Sequence, residues 1–282
     1  MVKLMRRSAK IHLFILTTLI SLCFFPFTAS AHFIRTNIFC RYTSEKPGEI
    51  DIDTVVSNTG IATAYNVVVT IFLAGWTEKI DDLPNNTPGG KISFSIRYYN
   101  PKLKPGKYTA VIRTTFEELS GRSHRAYHFF EIFYLLNRTA MPDDMGPLVQ
   151  TDSPLLHRKP FWKRRGHMKL SLTNRHAGPI IVQSTLYLPD GFSAVDPDRL
   201  YKLSPEETKR DRISVVADPC AGPTGTYHLV AWYEQGGMHY SSHIQGELRV
   251  KDHAVYFGWY LVLAVTALAF LFGVLIHRAR AK

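Results

Sequence analysis

Histidines are the side chains best spaced for chemistry in this chain. His124 and His128 stand four residues apart, as do His239 and His243. On a helix that spacing turns two imidazoles onto one face and grips a metal. On strands, at about 3.3 Å per residue, it separates the rings by roughly 13 Å, so neither pair chelates alone. A metal held between strands or domains is the sharper reading; polar residues on the solvent face of an edge hairpin are the plainer and expected one. His32 offers a second metal chemistry: as a mature N-terminus, its free amine and imidazole together suit copper, the mark of an exported copper-handling accessory protein. Acidic pairs occur at Asp81-Asp82, Glu117-Glu118, Asp143-Asp144 and Glu206-Glu207, but neighbours on a strand point to opposite faces, so these read as solvated loop charges. The chain has no Gly-x-Ser-x-Gly elbow, phosphate-binding glycine loop, His-Glu-x-x-His or clustered cysteine pairs. A non-enzymatic protein without catalytic residues or cofactor is expected.

Arg158, Lys159, Phe161, Trp162, Lys163, Arg164 and Arg165 pack five basic side chains around two aromatics. Cations with a stacking ring suit an anionic glycan or lipid headgroups. The plainer reading is a solvated linker whose aromatics cover a domain junction.

The ends of the chain set where these residues act. Lys3, Arg6, Arg7 and Lys10 precede an apolar stretch over 11–27 and the small residues Ala29-Ser30-Ala31, the pattern of a signal peptide covering 1–31. Residues 255–276 carry no charge. A helix of that length, rising about 1.5 Å per residue, matches a hydrocarbon core of roughly 30 Å. Tyr256, Trp259 and Tyr260 suit an interfacial aromatic belt, and Arg278, Arg280 and Lys282 a cytoplasmic tail over 277–282. The expected topology is a single-pass protein of the cytoplasmic membrane with a periplasmic or extracellular ectodomain. Seven of the 34 Lys and Arg lie in the terminal segments, whereas all 23 Asp and Glu lie between them, leaving an ectodomain near +4. The overall +11 is therefore mostly topology, and a nucleic-acid partner is not expected. Cys40 and Cys220 remain after export; a disulfide between them, an intermolecular bridge and two buried thiols all stay open.

Between the ends, short β-branched and aromatic runs alternate with turns. Runs over 50–56, 66–73, 91–98, 108–115 and 126–133 predict one set of strands, and runs over 167–173, 180–188, 211–217, 227–233 and 238–250 a second. A Pro-rich basic stretch over 137–166 separates them as a linker. Two Ig-like antiparallel β-sandwiches in tandem follow, over 32–136 and 167–251, making the ectodomain all-β. The halves also match in order. Asn58-Thr59-Gly60 before Ala64-Tyr65-Asn66-Val67 corresponds to Asn174 through Gly178 before Ile180-Ile181-Val182. Pro105-Gly106-Lys107-Tyr108 corresponds to Pro223-Thr224-Gly225-Thr226-Tyr227, each expected to start a strand with its tyrosine at a sheet edge. A duplicated domain is the simplest account.

The run from Val55 through Asn58-Thr59-Gly60 to Val69 resembles the signature of CARDB-type domains, Ig-like modules of bacterial and archaeal surface proteins. Leu170-Ser171-Leu172-Thr173-Asn174 with Leu188-Pro189-Asp190-Gly191-Phe192 is similar to the related NEW-type sandwich. The resemblance implies display, spacing, adhesion or assembly. The function expected is a membrane-anchored scaffold for another envelope protein or complex, with glycan binding through the basic aromatic linker as the alternative.

Overall fold

The computed structural model describes residues 34–135, 148–152, 154–157, 164–218, 221–251 and 262–268. The expected signal peptide, His32, Cys220, the residues 158–163 and most of the expected membrane span lie outside the described residues. Within that span, 262–268 is helical. Among the described residues no helix is long and apolar enough to cross a membrane.

The rest is β-structure arranged as two Ig-like sandwiches. In the first, β1 (Thr36–Thr43), β2 (Glu49–Asn58) and β5 (Lys91–Tyr99) form one sheet in the order β1-β2-β5. Opposite lies a sheet of β4 (Trp76–Ile80), β3 (Tyr65–Leu73), β6 (Gly106–Glu117) and β7 (Ser123–Tyr134). Period-two alternation explains the first sheet. Ile50, Ile52 and Val56 of β2 are buried, while Asp51 and Asp53 face outward and meet Arg97 at 2.7 Å and Arg41 at 3.2 Å. The second sheet departs from that rule, because β6 is buried on both faces from Tyr108 to Ile112.

The second sandwich has one sheet of β8 (Leu148–Thr151), β10 (Arg164–Thr173), β14 (Thr208–Ala217) and β12 (Phe192–Ala194). Its other sheet runs β13 (Asp198–Leu203), β11 (Ile180–Tyr187), β15 (Thr224–Gln235) and β16 (Met238–Lys251). β9 (Leu155–His157) joins the two, antiparallel to β10 and parallel to β16. Both β8 and β9 fall in the stretch read as linker, which thus contributes strands to the second sandwich. Gly236 and Gly237, at φ 59° and 79°, close the β15–β16 hairpin. A two-residue turn of this kind demands positive φ at both positions.

The internal repeat extends to individual hydrogen bonds. Asn58 Nδ2 donates to the carbonyls of Ala62 (2.7 Å) and Asn86 (2.8 Å), and its Oδ1 accepts from Gly60 N–H at 3.0 Å. Asn174 Nδ2 donates to Gly178 and Ser204, each at 2.9 Å, and its Oδ1 accepts from His176 N–H at 2.9 Å. Both side chains are buried and staple their own loop to a second, distant connection, the β4–β5 loop in one case and the end of β13 in the other. The matched tyrosines are not at sheet edges as expected: Tyr108 and Tyr227 are both buried in their cores. Tyr108 Oη donates to the Lys104 carbonyl at 2.6 Å, and Tyr227 Oη to that of Asp152 at 3.1 Å. The two partners differ in kind, one four residues upstream and one on the distant β8 end, but either carbonyl lets a phenol be buried without orphaning its hydroxyl. Cys40 is a free thiol packed beside the first core, 3.8 Å from Thr54 Oγ1, and burial raises its pKa to about 11.

The sandwiches are docked face to face. The outward face of β3-β6-β7 lies on the outward face of β11-β15-β16, so four β-layers stack with three buried seams. Tyr187 of β11 enters a nest of Phe72, Tyr127 and Phe129, with ring centroids at 6.0, 5.5 and 5.5 Å. Such tilted aromatic packing adds to the burial of apolar area.

Candidate functional site at the domain junction

β6 and β16 meet as a parallel bridge between Gly106 and His239, and His239 N–H donates to the Pro105 carbonyl at 2.8 Å. Glycine is required at this bridge, where only a residue without a Cβ lets the two backbones touch. A Cβ on Gly106 would lie 2.0 Å from the His239 carbonyl oxygen, and its φ is 154°. Next along β6, Tyr108 carries the His239 imidazole flat on its ring, with centroids 3.8 Å apart. Trp232 lies on the same imidazole at 5.3 Å. Glu234 Oε1 is 3.8 Å from Nδ1, and Glu234 Oε2 is 2.5 Å from Lys104 Nζ across the junction. Burial dominates over the Glu234 attraction and pushes the His239 pKa down to about 4, so the ring is neutral.

One layer in, Thr109 Oγ1 and Ser241 Oγ share a hydrogen bond of 2.6 Å between the sandwiches. Phe129 then stacks on both His228 (4.1 Å) and His243 (4.5 Å), whose Nδ1 and Nε2 are 3.0 Å apart. Burial, then the neighbouring His243, lower the His228 pKa to about 4, and burial lowers that of His243. At the far end Asp190 of the second sandwich takes Arg125 Nε at 3.0 Å and lies 3.3 Å from His124 Nδ1. The junction thus combines a neutral imidazole core with charged pairs at its rim.

Between the β3–β4 turn and β11–β13 the two faces diverge, leaving a cleft of about 780 Å³. Phe72, Trp76, Tyr187 and Trp232 line it together with Arg113, Arg125, Arg199 and Asp198.

No protein-family model matches the sequence, and no curated protein does. Among solved structures, the chain is similar to Escherichia coli alpha-2-macroglobulin from domain MG7 to the C-terminus, at 18% identity and a TM-score of 0.32. That match covers 38% of this chain and 17% of the other. Red sea bream transglutaminase matches at 10% identity over 78% of this chain and 31% of its own, with a TM-score of 0.26. A Porphyromonas gingivalis W83 protein of unknown function matches at 12% identity over 76% of this chain and 99% of its own, with a TM-score of 0.31. The chain therefore spans under a third of the first two structures, and likeness at these scores says nothing of ligands or partners.

The histidines singled out by spacing are distributed differently from the edge-hairpin reading. His239 is 1% exposed and His243 is half-buried, both on the docked face of β16 rather than in solvent. His124, buried, and His128, half-buried, stand on the opposite face of β7 from Phe129; His124 stacks on Phe116 of the first sandwich while its Nδ1 reaches Asp190 of the second. The pairs do not converge, and among the described residues no group of three or more His, Cys, Asp or Glu is placed to hold a metal. Of the basic aromatic run, Arg158, Lys159, Phe161, Trp162 and Lys163 lie outside the described residues. Arg164 is buried, its Nη1 donating to the Ala221 carbonyl at 3.4 Å, so it presents no charge to a ligand; Arg165 is exposed. Motif spacing does not mark His228, Tyr187 or Phe129. Their signal was present all the same: the outward positions of β15 read His228, Val230 and Trp232, too apolar for a solvated face.

Proposed function

We propose that the chain is a non-catalytic, membrane-anchored envelope protein whose two sandwiches act as one rigid block, presenting strand edges and loops to another envelope protein or complex. The face-to-face junction carries this reading. Central strands buried on both sides, a backbone bridge at Gly106 and neutral stacked imidazoles make a seam that resists hinge motion, which suits a spacer better than a clamp. Export, a single C-terminal anchor and kinship with CARDB-type modules are part of the same proposal, supported by the terminal segments and the duplicated Asn staple. Apolar side chains left outside the block mark where a partner would sit: Phe39 is 69% exposed, Tyr99 64% and Leu119 87%. A photo-crosslinking residue placed at each of these in native membranes is expected to capture one recurrent partner. Absence of a reproducible adduct at all three positions counts against a scaffold.

One observation favours the glycan reading as a second line. On the outer face of the β10–β14 pair, Lys169 stands directly opposite Arg212, with Arg165 and Arg210 on the same face. Like charges paired across strands are destabilising unless an anion lies over them. Among the described residues only Asp152 answers them, 3.4 Å from Lys169 Nζ. Retention of the full chain on an acidic polysaccharide, lost on Arg165→Glu with Arg212→Glu, is the outcome that would raise this reading above the first.

A further inference from the structure

The junction cleft holds a cation that the fold does not neutralise. Arg199 is paired with Asp211 at 2.5 Å, and Arg125 with Asp190 at 3.0 Å. Arg113 has no carboxylate within ion-pair distance among the described residues. Its guanidinium carbon sits 5.1 Å over the Phe72 ring, its Nη2 reaches Thr70 Oγ1 at 3.4 Å, and its Nε is buried without a hydrogen-bond partner. A half-buried guanidinium packed on an aromatic ring, without a carboxylate partner and lining the cleft, is arranged to receive an anion on its terminal Nη donors.

The surroundings define the rest of the ligand. Tyr187, across the cleft, makes ring contacts with Phe72 at 6.0 Å, and its hydroxyl bonds no described residue. Trp232 and Trp76 also line the cleft, backed by His239 and Tyr98. The cleft measures about 780 Å³. Small-molecule sites typically span roughly 300–1,000 Å³ and favour domain interfaces such as this one. Asp198 stands on the rim, held by Thr185 Oγ1 at 2.7 Å, and repels a second negative charge. We propose that this cleft binds a monoanion with a flat apolar body, an aromatic carboxylate being the simplest case, with its charged group on Arg113 and its ring against Phe72, Tyr187 and Trp232. The inference goes beyond the scaffold reading and does not depend on it, since a rigid block can hold a ligand in its seam whatever it is docked to.

The test is fluorine NMR of para-fluorophenylacetate added to the full chain in neutral-detergent micelles, with empty micelles as the blank and para-fluorobenzyl alcohol as the uncharged analogue. Line broadening by the protein is expected for the acid and not for the alcohol. Arg113→Met should weaken binding about tenfold or more, the loss typical of a charge-assisted pair. Gln183→Trp, at an exposed position that lines the cleft, should block binding while leaving Arg113 and its packing untouched. Equal broadening by acid and alcohol, undiminished binding in both variants, or no broadening at millimolar acid would each overturn the proposal.

Discussion

Acidification should part the two sandwiches, and His239 sets the scale of the effect. In the docked state its imidazole is 1% exposed between Tyr108 and Trp232, with a pKa held down to about 4. Undocked, it faces water and titrates near the ordinary value of about 6.5. A base whose pKa is depressed in the closed state is closed as the neutral species. Its contribution is therefore complete above about pH 6.5, shrinks as pH falls, and levels off below about 4, where both states are protonated. At pH 5 the loss from this one group is about 2 kcal/mol, rising to about 3 kcal/mol at the plateau. His228, also lowered to about 4, and His243 act in the same direction, though as half-buried groups they contribute less. Small-angle scattering of the full chain across pH 8 to about 4.5 should show the block lengthening, with red-shifted tryptophan emission as Trp232 is uncovered. His239→Phe keeps a ring on Tyr108 but cannot titrate, so it should stay closed to lower pH than the parent. An identical opening curve for parent and variant would refute the assignment, as would a profile that never changes.

Three other outcomes follow from single contacts. Gly106→Ala places a methyl 2.0 Å from the His239 carbonyl oxygen. It should destabilise docking by on the order of 3 kcal/mol, seen as new protease sensitivity between the sandwiches while each keeps its β-sheet circular dichroism. Asn174→Ala and Asn58→Ala each orphan one carbonyl (Gly178 or Ala62) and one N–H, while the Ser204 and Asn86 carbonyls keep the N–H groups of Glu207 and Ala64. About 1–3 kcal/mol of stability should be lost in urea unfolding, with similar values for the two if the repeat is energetic as well as geometric. Arg212→Glu should relieve the repulsion across from Lys169 and leave stability unchanged or raised by a few tenths of a kcal/mol in the same assay, since exposed pairs are weak.

The sandwich architecture and the repeat are legible in the sequence because both depend on local signals. Alternation in the 50–56 run and the Asn-led turns at Asn58 and Asn174 are written in consecutive residues. Strands without such signals escape that reading. β1 is half-exposed throughout, and β8, β9 and β12 run three or four residues. What local pattern cannot express is which outward face meets another. Thr109 and Ser241, 132 positions apart, carry no mark of their hydrogen bond. Spacing draws attention to His239 and His243 for chelation, while their burial comes from Tyr108 and Phe129 on a different domain. Arg113 likewise reads as an ordinary outward cation on a strand, and only the docked second sandwich places it in a cleft.

β16 also bears on mechanics. Its 14 residues pair along almost their whole length with β15, and its last three lie parallel to β9. Tension applied at Lys251 along the strand axis loads those rungs together, in shear, instead of peeling them off singly from one end. If the chain is pulled from its C-terminal side, the second sandwich should act as a stiff link that passes the load on instead of unravelling from its last strand.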